Sequence, residues 1–225
     1  MTSSYCHFCP AARALETVGD RWSLLIVRDL LAGPRRFSDL RRLLTNVTAK
    51  WLTIRLRQLE SHGIVTRNHQ PGRREVRYEL TDKGRDLAPI LDALVTWGLK
   101  YERHPLAPGE AAHPEHLMAG LTIALDHATA KPPRPLAWRF EFGPGESAFA
   151  VAFDGERWSL ADPDRSPHVV IHTTPRAWAG FVTQAKRRLP TREIGLSGAP
   201  DRIAELIETL GAAPAVNSRN RHERA

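Results

Sequence analysis

Three groups of side chains in this sequence have types and spacings that suit chemistry. The first is Cys6-His7-Phe8-Cys9, whose C-x-x-C spacing fits a redox pair or half of a zinc site. A structural zinc takes four ligands, and no second C-x-x-C supplies the other two, so no metal is expected. Cys6 and Cys9 stay as redox candidates, with idle thiols as the alternative, since reactivity depends on thiolate character. The second group is histidine. His168 and His172 flank Val169-Val170-Ile171, and on a strand they would stand about 13 Å apart, too far to share one metal. His113 and His116 lie beside a linker and read as solvated. The third group is cationic: Arg35, Arg36, Lys50, Arg55, Arg57, Arg73, Arg74 and Arg77, with Thr48, Trp51 and Thr53 among them. Guanidinium and ammonium groups in this number suit phosphates and base edges. No phosphate loop, dinucleotide fingerprint or nucleophile elbow occurs. No catalytic residue and no cofactor are therefore expected, and the chain is not expected to be an enzyme.

The elements that would carry the cationic group form a recognisable series. Val47 to Gly63 reads as a helix in which Leu52, Leu56 and Leu59 recur at core spacing while Lys50, Thr53 and Arg57 lie off that stripe. Thr48 is a suitable N-cap and Gly63 a natural stop. Phe37 to Leu44 is a second short amphipathic helix just upstream, so the pair reads as a helix-turn-helix able to enter a major groove. Ile64–Arg67 and Val76–Leu80 follow as two strands around the tip Pro71-Gly72-Arg73-Arg74, which makes a winged helix with a basic wing. Lys50 and Thr53, in the first two turns, are the best base-reading candidates. The arginines suit phosphates, and Trp51 is open between packing and groove contact. Helices are further expected at Pro10–Val18, at Arg21–Leu31 after an Asp20 cap, and as one long helix from Thr81–Asp82 through Tyr101. The apolar surface of that last helix is broad, and a two-fold dimer would bury it.

Charge supports the same division. Residues 1–104 hold 18 Lys+Arg against 11 Asp+Glu, whereas residues 105–225 hold 14 of each. All of the net +7 thus lies with the helix-turn-helix, as counterion release at phosphates would require. A basic composition spread through the whole chain would not leave the second half neutral. No apolar run approaches the roughly 20 residues of a membrane span, and the first ten residues lack a signal-peptide pattern. A cytoplasmic protein without membrane contact is expected.

After the linker His104–Gly109 the periodicity changes. A helix is expected from Pro114 to Thr129. Strands follow at 136–142, 147–153, 156–160 and 168–172, with hairpin turns at Gly143-Pro144-Gly145 and Asp154-Gly155. Helices return at Pro175–Ala185 and Pro200–Leu210, with Gly195–Gly198 as a short edge segment. The fold class expected is α+β. An N-terminal winged helix (1–104, DNA-binding and dimerisation) precedes a C-terminal domain (112–215) of antiparallel sheet plus helices.

The first half resembles the HxlR-type winged-helix transcription regulators. The resemblance rests on Cys9-Pro10, Val18-Gly19-Asp20-Arg21-Trp22, Gly33-Pro34-Arg35-Arg36-Phe37-Ser38-Asp39-Leu40, Leu59-Glu60, Gly63-Ile64-Val65 and Tyr78-Glu79-Leu80-Thr81-Asp82-Lys83-Gly84. It implies a homodimer on a pseudo-palindromic double-stranded operator, usually as a repressor, and in some relatives the cysteine matching Cys9 is a redox switch. The wing departs from the family in carrying Arg73-Arg74 and Arg77. The second half looks like a small sterol-carrier-type fold, through Phe153-Asp154-Gly155, Pro167–Ile171, Thr174–Trp178 and Ile194–Gly198. That resemblance implies an apolar cavity between sheet and helices, and a hydrophobic small-molecule effector. Two alternatives stand beside it: the aromatics are simply core, or the domain is an interaction module and the N-terminal cysteines do any sensing.

Overall fold

The computed structural model describes residues 4–69, 75–102, 104–128, 130–143, 148–183 and 192–212. The chain divides into two compact units, Met1–Ala93 and Leu94–Ala225.

The first unit begins with α1 (Pro10–Val18), where Pro10 opens the helix at a position needing no N–H. Helix α2 (Ser23–Leu31) starts two residues later than expected. The reason is local: the Asp20 carboxylate accepts the Trp22 N–H at 2.8 Å, and the Asp20 carbonyl accepts that of Ser23. This forms a turn instead of a first helical residue. Strand β1 (Arg35–Arg36) follows, then α3 (Phe37–Leu43), α4 (Ala49–Ser61), β2 (Val65–His69) and β3 (Val76–Leu80). The sheet order is β1-β3-β2, all antiparallel, so the wing gains a two-residue strand beyond the two expected. Ile26, Val27, Leu30, Leu40, Leu52, Leu56, Leu59 and Ile64 form the buried core of this unit.

The single long helix expected from Thr81 is two helices, α5 (Asp82–Arg85) and α6 (Ala88–Tyr101). Pro89 explains the break, because it has no N–H to give the Arg85 carbonyl and is tolerated only in a helix's first turn. On α6, Leu91 is buried, whereas Ile90, Leu94, Trp97 and Tyr101 are 44%, 48%, 53% and 58% exposed. Their 4-3-4 spacing lines them up as one apolar stripe.

The second unit holds α6 from Leu94 onward, α7 (Pro114–Asp126), β4 (Leu136–Glu141), β5 (Phe149–Phe153), β6 (Trp158–Ala161), β7 (Val169–His172), α8 (Pro175–Thr183), β8 (Gly195–Gly198) and α9 (Pro200–Ala212). The sheet order is β6-β5-β4-β7-β8. The expected antiparallel sheet needs one correction. β4 and β7 are parallel, so the sheet is mixed. The physical reason is the connection 162–168, which returns across the sheet to the free edge of β4 instead of making a hairpin with β6. His168 secures the arrival: its N–H donates to the Ala137 carbonyl at 2.8 Å, and its Nδ1 accepts the Ala137 N–H at 3.0 Å.

Trp138, Phe140, Phe142, Val151, Phe153, Val169 and Ile171 from the sheet meet Trp178, Phe181, Met118, Leu125 and Leu206 from the helices. Ring contacts run through this interior, among them Trp138–Trp158 at 4.6 Å and Phe140–Trp178 at 4.9 Å. Among the described residues, these aromatic rings pack the space between the sheet and the helices.

Asp126, at the end of α7, joins helix to sheet. Its carboxylate accepts the Trp158 N–H at 2.8 Å and Lys131 Nζ at 3.1 Å, with Arg157 3.6 Å away. Partial burial works to raise this carboxyl, but the Trp158 and Lys131 hydrogen bonds and the two cations outweigh it. The net shift is downward from the ordinary 3.8. Replacing Asp126 with Ala should cost about 1–2 kcal/mol in urea unfolding at neutral pH. The wild-type advantage is fully present above about pH 4 and fades as pH falls through the folded value. The two stability curves should therefore converge in acid.

Candidate nucleic-acid interface

Helix α4 is clamped at both ends. At its start Asn46 takes a left-handed conformation (φ 73°) that turns the chain, and the Thr48 hydroxyl accepts the Trp51 N–H at 3.3 Å. Val47 and Leu52, before the cap and one turn on, both lie in the core as a hydrophobic staple. At the other end Gly63 (φ 68°) closes a Schellman motif, with Ile64 N–H on the Leu59 carbonyl at 2.9 Å and Gly63 N–H on that of Glu60 at 3.0 Å. The Thr81 hydroxyl then donates to the Gly63 carbonyl at 2.6 Å, and Lys83 Nζ to that of His62 at 2.8 Å. The residues that follow β3 are thus bonded to the C-terminal end of α4. A Cβ on Gly84 would run into the Ile64 carbonyl oxygen, so this join needs glycine.

Leu52, Leu56 and Leu59 are at most 1% exposed and fix the rotation of α4. At 100° per residue, Lys50 and Arg57 sit about 160° and 140° around the helix from Leu52, which sends both to the opposite side. Both are exposed, as are Thr48 and Trp51, the latter at 54%. Trp51 is thus not a core packer in this chain. Thr53 is half-buried, and its hydroxyl donates to the Ala49 carbonyl at 2.8 Å.

The arginines divide. Arg55 lies only about 60° from the centre of the leucine stripe. Its guanidinium bonds Asp20 at 2.6 Å, with 14% of the side chain exposed. It ties α4 to the turn before α2. Arg36 pairs with Glu75 at 2.6 Å but stays 44% exposed, and its own N–H donates to Asp39. Arg35 Nε reaches the Asp29 carbonyl at 3.5 Å. Arg77 is half-buried on β3, opposite Arg36 and Asn68. Arg73 and Arg74 lie outside the described residues. Arg41, which sequence reasoning passed over, is exposed in the last turn of α3. Its position in a run Arg41-Arg42 beside the helix-turn-helix connection was the available signal.

Cys6 is exposed and Cys9 half-buried as the N-cap residue of α1, both as free thiols. The arm that bears them is held by Glu16, whose carboxylate accepts the Tyr5 N–H at 2.7 Å and the Ser4 hydroxyl at 2.9 Å. Those two bonds, the Tyr5 one foremost, hold the Glu16 carboxyl below its ordinary 4.5. Among the described residues no group of three or more His, Cys, Asp or Glu could hold a metal. No helix among them is long and apolar enough to cross a membrane.

Residues 17–105 match the HxlR-like helix-turn-helix family. An uncharacterized HTH-type transcriptional regulator of Methanothermobacter thermautotrophicus is 38% identical over 107 residues, which are 47% of this chain and 82% of that protein. The chain belongs to the HxlR-like helix-turn-helix family. Its homologues are helix-turn-helix transcriptional regulators. A second, the uncharacterized regulator YtcD of Bacillus subtilis, is 42% identical over 90 residues, 39% of this chain and 70% of that one. Among solved structures, the reduced form of the transcriptional regulator YodB from B. subtilis is 32% identical, with a TM-score of 0.38, covering 42% of this chain and 95% of that chain. The family match ends at residue 105, so the residues that follow it in this HxlR-like protein are additional to it.

The different settings of Arg55 and Arg57 have a measurable consequence. Arg55→Ala should lower stability by about 1–3 kcal/mol, because it strands a partly buried Asp20. Arg57→Ala should stay within about 0.5 kcal/mol of wild type. Urea denaturation of the two variants checks this.

Proposed function

We propose that this protein is a dimeric, cytoplasmic transcription regulator, acting as a repressor on a pseudo-palindromic operator. In this reading residues 1–104 bind DNA and dimerise. Residues 112–215 form a sterol-carrier-like domain that answers a hydrophobic small molecule. The observation that carries the DNA-binding core of the proposal is the exposed pair Lys50 and Arg57, opposite the buried leucines of α4. A helix of this kind enters the major groove with its first turns against base edges. Lys50, from a compact ammonium, suits the acceptor edge of guanine, with Thr53 and Trp51 beside it. Arg35, Arg36, Arg57 and Arg77, joined by Arg73 and Arg74, would hold phosphates and fix register, while Thr48 offers a hydroxyl at the helix start. Arg55 contributes by holding the helix in place.

The apolar stripe on α6 supports the dimer. Ile90, Leu94, Trp97 and Tyr101 suit a second copy of the same helix, since a two-fold contact is self-complementary. Two recognition helices then reach half-sites about 34 Å apart. An effector that binds the two dimer arrangements unequally shifts the fraction able to span both.

The test is fluorescence anisotropy on DNA from upstream of the gene, over a salt series, with wild type, Lys50→Ala, Arg57→Ala and Leu94→Glu. Wild-type affinity should fall steeply with salt. Lys50→Ala should cost about 1–3 kcal/mol on the specific site and little on random DNA, and Arg57→Ala should weaken both and flatten the salt slope by about one. Leu94→Glu should sediment as a monomer and lose tight binding. Equal binding of operator and random DNA by wild type and Lys50→Ala contradicts the proposal.

A further inference from the structure

We propose that the second unit binds a neutral, compact hydrophobic molecule of single-ring size, in a hollow walled by helices and not between the sheet and the helices. This rests on the effector-sensing reading above and narrows it. The hollow measures about 140 Å³ and is partly open. Its walls include Leu117, Leu121 and Ala124 of α7, Val182 of α8, Leu210 of α9 and Leu99. His116 is the hydrogen-bonding side chain among the lining residues, and its ring packs on His113 at 5.2 Å. An apolar cavity of about 150 Å³ in a protein interior stays dry and takes benzene, whereas drug-sized ligands need roughly 300–1,000 Å³. Between sheet and helices, a sterol or long acyl chain would have to displace Trp138, Phe140 and Trp178, which are at most 1% exposed and in ring contact with Trp158 (Trp138) and with each other (Phe140 and Trp178).

Gly120 supplies a second, independent observation. It lines the hollow from within α7, where glycine is the poorest helix former after proline. It needs no left-handed conformation, and a Cβ built on it meets no atom within 4 Å. Neither backbone geometry nor close packing accounts for a glycine there. What its missing side chain preserves is the open space itself. Leucine at this position would favour the helix and project into the hollow.

The experiment is calorimetric and thermal titration of the full chain with toluene, oleate and cholesterol, for wild type, Gly120→Ala and Gly120→Leu. Circular dichroism confirms that each variant folds. Toluene should bind wild type and raise its Tm. Gly120→Ala should weaken binding, and Gly120→Leu should reduce affinity about tenfold or more without lowering Tm. Toluene binding unchanged by Gly120→Leu overturns the proposal. So does a change of oligomeric state in that variant in place of lost binding, which would assign the hollow to a second copy. Binding of oleate or cholesterol but not toluene overturns the size and site inferred here, yet leaves a hydrophobic effector standing. No binding of any of the three overturns both.

Discussion

The rotation of α4 about its own axis is the constraint on which the DNA-binding half depends. Three leucines at core spacing, each worth about 1.5–3 kcal/mol when buried, leave the helix one way to face. Lys50 and Arg57 are then obliged outward by the same geometry that buries Leu52, Leu56 and Leu59. The staple at Val47, the Schellman closure at Gly63 and the Thr81 hydroxyl prevent sliding along the axis, so the outward face is held at both ends. Rigidity of this kind matters to a reader of base edges, because a displaced hydrogen-bond donor loses its discrimination.

Much of that was legible in the residues. α1 begins and ends where Pro10 and Gly19 say it should, and the Leu52–Leu56–Leu59 stripe and the Gly63 stop mark α4. The misses have physical causes. Strand β1 is two residues long, too short for any period of two to register. The break at Asp86–Leu87 hid behind continuous apolar spacing, although Pro89 carried the signal. Arg55 was grouped with the other arginines by residue type, while its angular position beside the leucines already placed it against the domain. The acid it pairs with, Asp20, is 35 positions away and looked like a helix cap.

The second unit was legible in its elements more than in its topology. Hairpin turns announce β4, β5 and β6, but nothing local announces that β7 returns parallel to β4. Such pairing depends on where a connection travels, which a short polar segment does not encode. The aromatics posed the sharper question, since tryptophan and phenylalanine line pockets and fill cores equally well. Here, among the described residues, they pack the sheet–helix interior, and a hollow lies beside Gly120.

The most direct measurement of the central claim is hydrogen–deuterium exchange of the full chain with and without DNA from upstream of its gene. Binding through α4 predicts new protection concentrated in residues 48–57 and in the flanking wing strands at 65–69 and 76–80, with the strands of the second unit unchanged. Protection confined to residues 114–212, or spread evenly over basic segments with 48–57 unchanged, would contradict α4 as the element that reads DNA.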